Sequence, residues 1–74
     1  MSRRHHKMVN GDKVNHQGRF KEGKQGNGFV RRIIYGDDGP EEVIVQFDDG
    51  TEIYPYEDFR HAWTDDYGGV YMLT

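Results

Sequence analysis

Val43-Ile44-Val45-Gln46-Phe47-Asp48-Asp49-Gly50-Thr51-Glu52-Ile53-Tyr54 is the stretch that decides the fold. Alternating apolar residues on either side of an Asp-Gly step read as two short antiparallel strands around a tight turn. Two registers compete. A two-residue loop at Asp49-Gly50 puts Glu52 on the face of Phe47 and Ile53 on the face of Gln46. A three-residue loop, Asp48-Asp49-Gly50, pairs Phe47 with Thr51 and Val45 with Ile53. The second choice collects Val43, Val45, Phe47 and Ile53 on one face, and a slip of one residue would undo that. It asks Gly50 for a positive φ as a bulge residue, which glycine adopts at little cost. The three-residue loop is therefore the expectation.

Working outward, Lys13-Val14-Asn15-His16 reads as a first strand with Val14 inward, and residues 17–27 as a glycine-rich basic loop. Gly28 to Tyr35 forms the second strand. Its apolar phase shifts between Val30 and Ile33, which predicts a bulge or bend in mid-strand. Gly36-Asp37-Asp38-Gly39-Pro40 is a turn, and Pro55 ends the fourth strand or marks its edge. Tyr56 to Phe59 predicts one helical or 3₁₀ turn, His61-Ala62-Trp63 a fifth strand, and Val70 to Leu73 an extra strand folding back after the turn at 65–69. Residues 1–9 read as a flexible basic arm and residues 10–74 as a single domain.

Seventy-four residues bound the chain to one domain with a small core, and no cysteine is present to staple it. Apolar content is low at 34% while aromatic content is 14%, and ten glycines point to a turn-rich β domain. No apolar run approaches the roughly 20 residues of a membrane span, and the charged opening lacks the apolar segment of a signal peptide. A cytoplasmic location is the expectation. The net charge of −3 conceals a split. Residues 1–36 carry nine Lys/Arg and two acids, whereas residues 37–74 carry Arg60 and eleven acids. Either a partner reads one pole, or antiparallel pairing interleaves the halves and neutralises them.

Gly11-Asp12-Lys13-Val14, Gly26-Asn27-Gly28-Phe29-Val30, the central Val43 to Gly50 and the closing Asp58-Phe59 together resemble the Tudor-like branch of the SH3-like barrels. The pattern is similar to Tudor domains of chromatin readers and to the small C-terminal barrel of bacterial superfamily-one DNA helicases. It covers residues 11 to about 61. The resemblance implies an all-β, five-stranded SH3-like barrel, with the segment after Trp63 as an additional strand or tail. It implies a protein partner in the transcription or DNA-repair machinery, RNA polymerase among them, and would suit a small bacterial or phage accessory protein. It also implies an aromatic cage built from Phe20, Tyr35 and Phe47 with Asp48 or Asp49. The register, however, needs Phe47 inward, so the aromatics are expected to close the core.

For a protein partner the candidate residues are Tyr35, Tyr54, Tyr56 and Trp63, with Tyr54 and Tyr56 on the outward face of the fourth strand. For nucleic acid, the alternative, they are Arg19, Phe20, Lys21, Lys24, Arg31 and Arg32, joined by the arm. His5, His6, His16 and His61 lack metal-ligand spacing, and no cofactor is expected. Ser2 is the single serine, the carboxylate pairs sit at turns, and no enzyme activity is expected. The leading expectation is a non-enzymatic protein-interaction module.

Overall fold

The computed structural model describes residues 7–66 and 68–74. The chain forms β1 (Lys13–His16), α1 (Gln17–Lys21), β2 (Asn27–Gly36), β3 (Gly39–Phe47), β4 (Gly50–Pro55), a 3₁₀ turn (Tyr56–Asp58), β5 (Arg60–Asp65) and β6 (Gly68–Leu73). All six strands belong to one sheet in the order β4-β3-β2-β1-β6-β5. The fold is all-β, as expected, and the described residues form six strands, the expected five with the additional C-terminal strand. A single sheet with no second layer buries an apolar face by curling around it. Met8, Val14, Val30, Val43, Val45, Phe47, Tyr71 and Leu73 fill the inside, with Ile33, Tyr54, Tyr56 and Phe59 packed against them.

The 3₁₀ turn and the mid-strand irregularity follow the sequence. The β2–β3 register shifts between Val30 and Arg32, so Arg31 is the extra residue. The segment 68–73 does more than append a strand. β6 lies between β1 and β5, parallel to the first and antiparallel to the second. Val70, Tyr71 and Leu73 are all buried.

The hairpin register differs from the expectation. Phe47 pairs with Gly50, Gln46 with Thr51, Val45 with Glu52, Ile44 with Ile53 and Val43 with Tyr54. The loop is Asp48-Asp49, one residue shorter than expected. Gly50 still takes a positive φ of 137°, while no non-glycine residue among those described does. Such a φ is open to glycine alone at low cost, so the two aspartates turn the chain and Gly50 absorbs the strain. Because the side-chain period is two, the shift turns Glu52 and Tyr54 inward and leaves Ile53 51% exposed. Apolar patterning loses here because the inner face at this end receives a cation, Arg19.

Two further expectations change. Residues 17–21 form a short helix in place of a loop, ended by Gly23 at φ 79°. Five residues including a glycine carry no periodic signal, and tertiary contacts hold them helical. At the N-terminus, residues 1–6 lie outside the described residues, but Met8 is 2% exposed in the core. Asp12, itself buried, accepts from Val9 N–H at 2.9 Å and from Gly69 N–H at 3.2 Å, tying this segment to β6. The folded unit therefore includes Met8, where the sequence suggested an arm reaching residue 9. Met8→Ala should destabilise the protein by about 2–5 kcal/mol in urea unfolding, the usual range for a buried methionine cut to alanine.

Candidate functional site

The outer face of the sheet carries the site. Residues paired across neighbouring strands share a face, so one row can be followed through the register. Gln46 pairs with Phe29, Phe29 with Lys13, Lys13 with Val70, and Val70 with Trp63. Phe29 lies between the buried Gly28 and Val30, and strand alternation sends it outward. Gly28, which pairs with Val14 and faces the core, must be glycine for this strand to pack. A Cβ there would stand 2.6 Å from the Gln46 carbonyl oxygen and 2.9 Å from the Phe47 ring.

Phe29 and Trp63, 53% and 55% exposed, wall a groove of about 370 Å³ with Val70, 5% exposed, among its lining. Its polar rim is paired within itself. Lys13 Nζ donates to Asp65 Oδ2 at 2.9 Å, Asn15 Nδ2 donates to Asn27 Oδ1 at 3.2 Å, and Gln17 Nε2 donates to Asn15 Oδ1. The one cation and one anion of the lining offset each other, so the groove is apolar with a neutral rim. Beside it runs β5, an edge of the sheet with most of its residues exposed.

The residues expected to bind a protein separate into two groups. Trp63 walls this groove. Tyr35, 57% exposed, lines another hollow with Lys7, Asn10 and Arg32. Tyr54 and Tyr56 are not on an outward face, because both pack against the core. The Tyr54 ring meets His16, Phe59 and Phe47 edge-on at centroid distances of 5.1, 6.2 and 6.4 Å. Its hydroxyl donates to Glu52 Oε1 at 2.9 Å.

The basic loop is also rearranged. Arg19, expected to face solvent, is 4% exposed. Its guanidinium carbon stands 3.9 Å over the centre of the Phe47 ring. Nη1 donates to Glu52 Oε2 at 2.9 Å, Nη2 to Asp49 Oδ1 at 2.6 Å, and Nε to the Gln25 carbonyl at 2.8 Å. The ring and carboxylate that the resemblance placed in a cage thus hold the chain's own cation, with Phe20 and Tyr35 elsewhere. Lys24 approaches Glu22 at 3.5 Å, while Phe20 and Lys21 are exposed. Arg31 and Arg32 are exposed on β2. Among the described residues no three His, Cys, Asp or Glu side chains gather to hold a metal, and His5 and His6 lie outside them. Nor is any helix among them long and apolar enough to cross a membrane.

Phe29, Val70 and Lys13 are the groove residues that sequence reasoning missed. Phe29 was readable, since Phe29 and Val30 are adjacent in a strand and cannot both face the core. Val70 and Lys13 were not, because the parallel pairing of β1 with β6 leaves no local signal. No protein-family model, no curated protein and no solved structure matches this chain.

Burial shifts three ionisable groups. Tyr54 is pushed up to about 12, first by desolvation and then by its bond to Glu52. Tyr71 is likewise pushed up to about 12, by desolvation and then by Asp12. His16 is lowered by burial and then by the Arg19 charge, and its Nδ1 has no hydrogen-bond partner among the described residues. A tyrosine that resists ionisation when folded keeps its proton after the unfolded chain has lost it. Its stabilising contribution is complete below pH 10 and falls as pH rises from about 10 to 12. Urea unfolding across that range should show this decline, and Tyr71→Phe should flatten it. At neutral pH, Arg19→Ala should lower the melting temperature clearly more than Lys24→Ala, because it removes a buried cation and strands Asp49 and Glu52 beside each other.

Proposed function

We propose that this chain is a non-enzymatic interaction module, a small curled-sheet domain of the Tudor-like or SH3-like kind that docks a protein partner on its outer face. The observation that carries the reading is the groove between Phe29 and Trp63. Two large rings more than half exposed around a mostly apolar cleft are what a docked side chain from a partner would cover. The neutral rim favours an apolar segment of protein over a polyanion. The nucleic-acid reading through the first loop loses its central cation, since Arg19 is spent on Asp49 and Glu52. The resemblance to helicase and chromatin-reader barrels adds the class of partner, a component of the transcription or DNA-repair machinery.

The test is affinity capture from nuclease-treated lysate of the source cells, at low and high salt, with the wild type, Trp63→Ala and Phe29→Ala. The expected result is a polypeptide retained by the wild type at both salt concentrations and lost from both variants. For a buried tryptophan anchor, the purified pair should lose about 2 kcal/mol or more of affinity on Trp63→Ala. Unchanged retention by both variants, with melting temperatures intact, would reject the groove as the docking site.

A further inference from the structure

The β2 bulge exposes a surface that the aromatic groove leaves unused. In a regular strand consecutive residues point to opposite faces, so one of two adjacent arginines would turn into the core. The register break between Val30 and Arg32 lifts that constraint. Val30 is 2% exposed, whereas Arg31 and Arg32 are both exposed. Among the described residues neither makes an ion pair. Arg31 Nη1 donates to Gln46 Oε1 at 2.9 Å, and that neutral acceptor orients the guanidinium without cancelling its charge.

Arg32 shares a hollow of about 520 Å³ with Lys7, Asn10 and Tyr35, and Tyr35 presents more than half of its surface to solvent. Two cations and an open ring thus share this hollow, with Arg31 next to Arg32 at the bulge. Asp49 and Glu52 hold Arg19 and Asp65 holds Lys13. Acids flank only the Tyr35 end, with Glu41 and Glu42 on β3, Glu42 opposite Ile34, and Asp37 and Asp38 in the turn beyond, so the positive stretch is the end formed by Lys7, Arg31 and Arg32.

We propose that this bulge surface binds single-stranded nucleic acid, with Lys7, Arg31 and Arg32 on successive phosphates and Tyr35 stacked on a base. Several cations in line select a polyanion over a lone phosphate, and an exposed ring needs a base free of its own stack. The hollow shares no lining residue with the aromatic groove, although Arg31 reaches Gln46, the partner of Phe29, and its test does not depend on the protein partner.

The experiment measures fluorescence anisotropy of labelled oligo(dT), oligo(U) and a duplex of equal length with the full chain, over a salt series. Single strands should bind more tightly than duplex and weaken as salt rises. The double variant Arg31→Ala, Arg32→Ala should weaken binding about tenfold or more and reduce the salt slope by about 1 to 2, near 0.7 for each phosphate released. Tyr35→Ala should weaken single-strand binding by about fivefold or more. All three residues are exposed, so melting temperatures should hold, and Lys21→Ala should leave affinity unchanged. Absence of binding at low salt, full affinity in the double arginine variant, an unaffected Tyr35→Ala, or equal affinity for duplex would each overturn the proposal.

Discussion

A guanidinium ion seated over a buried phenyl ring governs this structure. Arg19 is nearly removed from solvent, and such a charge is tolerable only where its donors are met. Here one backbone carbonyl and two carboxylates meet them, with the face of Phe47 beneath. Several features that look independent follow from that requirement. Glu52 must face inward, which fixes the register of β4 on β3. Tyr54, two residues on, must then face inward too, and its ring closes the core against Phe47 and Phe59. The five-residue helix α1 persists because its arginine is anchored 30 and 33 positions away along the chain.

The same contact shows what became of the charge asymmetry. The basic first half and acidic second half meet at Arg19 with Asp49 and Glu52, and again at Lys13 with Asp65. Part of the apparent dipole is thus consumed internally. What it leaves over is unevenly placed. The groove is neutral and aromatic, while the bulged strand presents two arginines outside any ion pair among the described residues. The two surfaces differ in the chemistry of what they can hold, so a module of this size has room for two unlike contacts.

Strand positions, the 3₁₀ turn and the bulge were legible in the sequence because each rests on local periodicity or a local break in it. The hairpin register was not. Counting apolar residues on a face favoured Ile53 inward, and nothing near Glu52 announces an arginine 33 positions away. That one-residue difference also misplaced Tyr54, since a register slip exchanges the faces of a whole strand. Trp63, Arg31 and Arg32, named from the sequence as candidate contact residues, are exposed. Val70 entered the groove only through the β1–β6 pairing, which no short-range pattern encodes.

That pairing has a kinetic consequence. β2, β3 and β4 form a meander joined by tight turns, and β5 and β6 form a hairpin, so each half can assemble from neighbours in sequence. The halves join along a single parallel seam, where Asp12 and Gly69 meet across 57 positions. Loop closure over that distance must precede the contacts that reward it, so zipping this seam is the slow step of folding. In the native state the same seam is where the sheet should part first, and amide exchange at β6 should outpace that within the β2–β3 ladder.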